Sequence, residues 1–144
     1  MSVEENKALV RRTYEEVLNN GDLDVADELY AREYVYTSPG SPELRGPEGF
    51  KQLVRMLRGA FPDLRFTPEE LIAEGDSVVS RWTGRGTHQG EFKGISPTGK
   101  QVTVTGMVIH RLANGKFVED REELDALGLL QQLGAIPSAG PELE

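Results

Sequence analysis

The apolar residues change their spacing near Pro62, and this change limits the folds that the chain can adopt. Before Pro62 the clearest apolar row repeats at the spacing of one helix face. Its members are Phe50, Leu53, Val54, Leu57 and Phe61. After Pro62 the apolar residues alternate, as they do in half-buried strands. Helices followed by a mostly antiparallel, strongly bent sheet predict an α+β fold with the helices against one face of the sheet.

Capping residues and prolines bound the predicted helices. Ser2 followed by Glu5 fits a capping box, and Asp22 can cap a later helix. The predicted helices cover about residues 3–19, a second segment after Asp22, a third from Gly46-Pro47 to Pro62, and a short one over 126–133. A short extended piece and a loop are predicted for residues 33–46.

The predicted strands are separated by glycine-containing turns. They cover residues 64–72, 77–85, a short piece near 91–92, 101–112 and 116–124. Asn114-Gly115 joins the last two as a hairpin. The length of 144 residues predicts one domain, over residues 1–137, and the proline-containing tail at 138–144 is predicted to be flexible.

Composition excludes several classes of function. The net charge of −8 opposes binding to a phosphate backbone, so we expect no nucleic-acid partner. There is no cysteine and there are only two histidines, which excludes cysteine-based zinc sites and a catalytic metal held by several histidines. A carboxylate-only metal site stays conceivable, but there is no EF-hand spacing, and we expect no metal. No apolar run approaches the roughly 20 residues of a spanning helix. The N-terminus lacks a signal-peptide pattern, and we therefore expect a cytoplasmic protein without a membrane partner.

The last hairpin carries polar residues where a half-buried strand should offer an apolar face. On residues 101–112 one face is apolar apart from His110. On residues 116–124 neither face is apolar. This strand must therefore border solvent, a subunit interface or a pocket.

The turn of this hairpin decides which side chains meet. A two-residue turn at 114–115 would pair Val108 with Arg121. A three-residue loop at 113–115, with a bulge, would pair Val108 with Asp120. The sequence leaves both registers open, and a slip of one residue moves every side chain to the other face.

In the second register His110, Asp120 and Glu122 share the face that is lined by valines. A carboxyl group in such surroundings has a raised pKa, which suits a general acid or base near neutral pH. One hypothesis is that Glu122 transfers a proton and is tuned by His110 or Asp120. The alternative is a solvated edge strand with ordinary salt bridges.

Further side chains are candidates for lining a pocket. Tyr36 is either a hydrogen-bond donor to a developing oxyanion or a tyrosine at the rim. Trp82 is either an aromatic wall for a flat ligand or part of the core. For Tyr14, core packing is favoured, and for His88 a hydrogen bond that holds a loop is favoured over catalysis. Val108 lies beside the acidic strand.

Several stretches, in this order and spacing, carry a family resemblance. They are residues 5–17, Asn20-Gly21-Asp22, Gly46-Pro47-Glu48-Gly49, Ala60-Phe61-Pro62-Asp63, Arg81-Trp82-Thr83, and residues 86–92, 94–100 and 127–134. Over about residues 4–137 the chain resembles the SnoaL-like polyketide cyclases of the nuclear-transport-factor-2-like superfamily.

The resemblance implies a curved sheet around a conical cavity, closed by three N-terminal helices, in a homodimer. It implies cofactor-independent intramolecular aldol or enolisation chemistry on a cyclic or aromatic ketone. The acidic residue that acts as acid/base in the family matches Glu122, where glutamate replaces the usual aspartate. Val108 stands where the cyclases have a histidine, and His110 can compensate from the same face. Tyr36 stands where they often have Asn or His.

Three classes of function follow from these observations. The first is a lyase or isomerase in which Glu122 removes a proton next to a carbonyl, a ketosteroid-isomerase-like reaction included. The second is hydrolysis, as in the epoxide hydrolase relatives of the superfamily. The third is a non-catalytic module that binds a hydrophobic or aromatic ligand or dimerises, because a fold does not fix a function.

Overall fold

A computed structural model of the protein describes residues 1–137, and the predicted flexible tail at 138–144 lies outside them. The helices are α1 (Val3–Arg12), which continues as a π-helical segment (Thr13–Asn19), α2 (Leu23–Leu29), α3 (Gly46–Ala60) and α4 (Ala126–Leu133). The strands are β1 (Tyr30–Thr37), β2 (Leu44–Arg45), β3 (Arg65–Glu74), β4 (Ser77–Thr87), β5 (Gln101–Ala113) and β6 (Lys116–Leu124).

The six strands form one curved sheet in the order β2-β1-β6-β5-β4-β3. Neighbouring strands are antiparallel except β1 and β6, which are parallel. This arrangement confirms the predicted α+β class and its mostly antiparallel sheet. Within the described part of the chain, no helix is long and apolar enough to cross a membrane.

The first helix begins as predicted but does not stay regular. The Glu5 amide donates to Ser2 Oγ at 3.0 Å, and the Ser2 amide donates to Glu5 Oε1 at 2.9 Å, which completes the capping box. After Arg12 the helix widens into its π-helical segment, a rare conformation that the periodicity did not predict. At α2, Asp22 occupies the N-cap position, but its side chain makes no capping hydrogen bond with any described residue.

An aromatic stack joins α3 to the middle of the sheet. Phe50 of α3 stacks on Tyr30 of β1 with 4.2 Å between ring centroids, and Phe117 of β6 stacks on Tyr30 at 4.8 Å. All three side chains are buried. The predicted apolar row of α3 therefore faces the core and holds the helix against β1 and β6.

The segment between β4 and β5 is an ordered loop. The short strand predicted near residues 91–92 is only a bridge between Phe92 and Ile95. His88 is buried, and its Nδ1 accepts a hydrogen bond from the Thr98 amide at 3.2 Å. The His88 amide also donates to the Lys100 carbonyl at 2.9 Å. His88 thus holds this loop, the role that the sequence favoured.

The register of the last hairpin differs from both predicted alternatives. The turn has two residues, since Ala113 pairs with Lys116, but the register then shifts by one residue at Val118. Val108 consequently pairs with Glu122, rather than with Arg121 or Asp120. The bulge adds one residue to β6 and so reverses which side chains of that strand face inward. His110, Asp120 and Glu122 therefore share one face, as they would with the three-residue loop.

Gly106 of β5 forms a recess for the indole of Trp82. The two residues are paired across β4 and β5. A Cβ atom on Gly106 would lie 2.4 Å from Trp82 Cζ2, 2.7 Å from Trp82 Cε2 and 2.9 Å from the Glu123 carbonyl oxygen. The indole therefore lies flat against the backbone of β5, which only glycine permits.

We predict that Gly106→Ala lowers the free energy of unfolding by about 1–3 kcal/mol, because the added methyl group overpacks this recess. Urea unfolding followed by tryptophan fluorescence measures the change. Gly59→Ala in α3 is the matched control, since among residues 1–137 no heavy atom outside its chain neighbours and the adjacent helix backbone lies within 4 Å of its Cβ position. That variant should be neutral or stabilised by up to about 1 kcal/mol. Equal unfolding midpoints for the two variants would contradict the close packing of Trp82 against Gly106.

Candidate active site

The concave face of the sheet and the helices enclose a cavity of about 190 Å³. Its lining is mainly apolar and aromatic. Six predicted site residues line it together with His110: Tyr14, Tyr36, Trp82, Val108, Asp120 and Glu122. Of the candidates from the sequence, His88 lies outside the lining that the described residues form. The reason is that His88 packs behind Phe61, at 5.6 Å between ring centroids.

Glu122 places a carboxyl group at the wall of the cavity. Glu122 is half-buried and lines the cavity. Burial raises the pKa of Glu122 to about 7, and the negative charge of Asp120 adds to this rise. A hydrogen bond from the Tyr36 hydroxyl to Oε1 acts in the opposite direction. The carboxyl can therefore both accept and donate a proton near neutral pH.

Tyr36 is the direct hydrogen-bond donor to this carboxyl. It lies on β1, is 5% exposed, and pairs with Asp120 across the parallel junction of β1 and β6. Burial raises the pKa of the Tyr36 phenol, and the adjacent Glu122 raises it further. Tyr36 therefore stays protonated at neutral pH and orients one oxygen of Glu122.

A buried hydrogen-bonded array lies beneath Glu122. Asp120 Oδ1 bonds His110 Nδ1 at 2.7 Å, and Asp120 Oδ2 accepts from the Tyr34 hydroxyl at 2.7 Å. On its other side His110 Nε2 bonds Ser80 Oγ at 2.7 Å, and Ser80 Oγ bonds the Tyr14 hydroxyl at 2.7 Å. Both oxygens of Asp120 are thus occupied, whereas Glu122 keeps one oxygen free of side-chain partners among residues 1–137.

The hydrogen-bonded order of Ser80, His110 and Asp120 is that of a hydrolytic triad, but here the serine is not accessible to a substrate. Ser80 is fully buried and lies outside the cavity lining of the described residues. Tyr14 occupies the other side of its hydroxyl. A nucleophile needs an open path to its substrate, and the buried hydroxyl of Ser80 has none from this cavity.

Sequence reasoning missed two members of the array, Ser80 and Tyr34. Both contacts span the fold: Ser80 is 30 residues from His110, and Tyr34 is 86 residues from Asp120. One signal was available for Ser80, which is a polar residue on the inward face of β4 between Val78 and Trp82. A small hydroxyl on an apolar strand face needs a buried partner.

Comparisons with known proteins identify the family of the chain. The model of the SnoaL-like polyketide cyclase family matches residues 8–133. The chain is 34% identical over 131 residues to the aklanonic acid methyl ester cyclase of Streptomyces peucetius, covering 88% of each chain. It is 31% identical over 120 residues to the nogalonic acid methyl ester cyclase of Streptomyces nogalater, covering 81% of this chain and 88% of the relative.

Solved structures share the fold. A putative SnoaL-like polyketide cyclase from Jannaschia superposes with a TM-score of 0.85 and 27% identity, covering 93% of this chain and 94% of that one.

The raised pKa of Glu122 predicts how stability depends on pH. Between pH 4.5, its ordinary pKa, and about 7 the folded state holds the Glu122 proton while the unfolded state has released it. Stability must therefore fall as pH rises through this window, by about 3 kcal/mol for this group. In Glu122→Gln the side chain at this position is neutral at every pH, so this decrease in the free energy of unfolding should be absent.

Urea unfolding of both proteins from about pH 4 to about pH 8 measures the difference in their free energies of unfolding. We expect the wild type to become less stable relative to the glutamine variant as pH increases. A difference that does not change with pH would mean that Glu122 is not desolvated.

Proposed function

Because this chain belongs to the SnoaL-like polyketide cyclase family, we propose that it is a cofactor-independent cyclase in which Glu122 moves the proton. The observation that carries the proposal is a carboxyl at the cavity wall whose pKa burial raises to about 7. A group with this pKa is half ionised at neutral pH. It can therefore act as base in one step and as acid in the next.

The proposed reaction is an intramolecular aldol ring closure. Ionised Glu122 takes a proton from a carbon next to a carbonyl group, and the electron pair of that C–H bond gives an enolate. The enolate carbon attacks a second carbonyl of the same molecule and forms the new carbon–carbon bond. The resulting alkoxide takes the proton back from Glu122. The product is an isomer of the substrate, and the carboxylate is regenerated.

The proposed substrate is an ester of an aromatic polyketide acid. The two cyclases quoted above are named for methyl esters of aklanonic and nogalonic acid. The cavity of about 190 Å³ is somewhat larger than a cavity of roughly 150 Å³ that holds benzene. We therefore infer that the reacting ring enters the cavity and that the remaining rings lie at its mouth.

We propose that His110 and Asp120 act by positioning rather than by touching the substrate. Their hydrogen bonds to Ser80 and Tyr34 hold them in the buried array. The charge of Asp120 raises the pKa of Glu122, and that of His110 lowers it. Substitution of either residue should therefore shift the pH profile of turnover, beyond any general loss of activity.

The test is turnover of aklanonic acid methyl ester by wild type and by Glu122→Gln. We expect the variant to lose about 10²–10⁴-fold in kcat, the usual contribution of general acid–base catalysis. Glu123→Gln is the matched control, since Glu123 is the next residue of β6 and is exposed on the other face of the sheet. It should keep wild-type turnover.

Retained turnover in a folded Glu122→Gln variant would overturn the assignment. The mass of the product separates ring closure from hydrolysis. An aldol product has the mass of its substrate and an opened epoxide is heavier by one water, whereas a cleaved methyl ester releases methanol and leaves an acid that is lighter by one CH₂ group.

We further propose that the protein is a cytoplasmic homodimer that associates through the outer face of the sheet. Ile72, Val79 and Ile109 lie in one row across β3, β4 and β5 on that face. Ile72 and Ile109 are more than half exposed, and so is Met107 on the same face of β5. Exposed apolar residues that cluster in this way are typical of a protein interface.

Sedimentation of the wild type at micromolar concentration should give a dimer, and Ile109→Arg should give a monomer. Leu127→Arg is the control, because Leu127 is equally exposed on α4, away from this face. A monomeric wild type, or equal dissociation by both variants, would contradict the proposed interface.

A further inference from the structure

The indole of Trp82 places an unsatisfied donor at the wall of the cavity. Trp82 is 4% exposed and lines the cavity, and its Nε1–H has no hydrogen-bond partner among residues 1–137. Buried donors in folded proteins are nearly always paired, so each exception requires an explanation. A packing role would be served equally well by a phenyl ring, which carries no such donor.

The position of this donor is tightly determined. The ring of Phe66 meets the indole edge-on, with 5.0 Å between centroids and 79° between planes. On the other side the Cε2 and Cζ2 atoms lie against the backbone of Gly106, so the edge that carries Nε1 lies over β5. β6, the strand that bears Glu122, is the next strand of the sheet.

The donor lies near the carboxyl of Glu122 without closing a hydrogen bond to it. The N–H is directed at this carboxyl and lowers its pKa, but the contact falls short of full hydrogen-bond geometry, and no other described residue offers an acceptor. Tyr36 already donates to Oε1 of the same carboxyl. The cavity wall therefore presents a proton acceptor, the carboxyl of Glu122, beside a donor, the indole N–H, whose contact with that carboxyl is incomplete.

This pair matches the two ends of an enolisable ketone. The hydrogen to be removed and the carbonyl oxygen that becomes negative are attached to adjacent carbons. A base and a donor side by side can contact both at once. The free energy that the unpaired N–H costs the empty protein is recovered only when a ligand supplies an oxygen.

We propose that Trp82 Nε1–H donates a hydrogen bond to the carbonyl oxygen next to the carbon that Glu122 deprotonates, so that Trp82 is a further catalytic residue. This inference rests on the proposed role of Glu122 as base. The C–H electron pair becomes the carbon–carbon double bond of the enolate, and the carbonyl π pair moves to oxygen. The proton passes to Glu122, and Trp82 keeps its own. Ligands that lack an acceptor at this position are discriminated against.

The chain contains a single tryptophan, so one indole ¹⁵N–¹H signal reports on this donor alone. The probes are 1-tetralone, which carries a carbonyl oxygen, and tetralin, which has the same ring system without it. We expect 1-tetralone to move the indole proton signal downfield and to bind roughly threefold to tenfold more tightly than tetralin. Trp82→Phe should bind the two probes equally.

The opposite outcome is equally definite. An indole signal that 1-tetralone leaves unmoved, or a preference for 1-tetralone that survives in Trp82→Phe, would overturn the proposal. The wild-type signal decides the question even if the variant does not fold. Glu122→Gln separates this proposal from the proposed function: it keeps the donor and should keep the downfield shift, whatever happens to turnover.

Discussion

The pairing of β5 with β6 determines the chemistry of this molecule. Asn114 and Gly115 both have positive φ, at 53° and 77°, and this conformation closes the two-residue turn. The bulge at Val118 then moves the register by one residue and places Asp120 and Glu122 on the concave face. Without the bulge both carboxyls would point outward, and the described residues would contribute no carboxyl group to the cavity.

Two carboxyl groups on the same strand face thus acquire different roles from their surroundings. Asp120 receives hydrogen bonds on both oxygens, from His110 and Tyr34, deep in the core. Glu122, two residues further on, is bonded on one oxygen by Tyr36 and faces an apolar cavity. The inner carboxyl is held in place by its partners, whereas the outer one remains free to exchange a proton. Unequal surroundings are a general way to separate the roles of paired acids.

Sequence patterns predicted the main helices and strands and the shared face, but not the π-helical segment or the register of the last hairpin. The apolar row of α3 and the alternation of β5 follow from local periodicity. The bulge follows from a tertiary demand: Phe117 is fully buried against Tyr30, and Asp120, three residues later, is buried as well. A period of two cannot place both on one face, so the strand must gain a residue between them. The stack with Tyr30 that imposes this demand is not visible in the local sequence.

The site also shows how a ligand could strengthen its own base. Val108 opposite Glu122 offers no donor, so the carboxyl is tuned by Tyr36 and by the nearby indole of Trp82. Both donors lower its pKa, against the effect of burial. Under the proposed role of Trp82, a ketone oxygen that engages the indole N–H removes one of these influences and excludes water from the cavity at the same time. The pKa of Glu122 then rises further, and the carboxylate becomes a stronger base at the moment when the carbon to be deprotonated lies beside it.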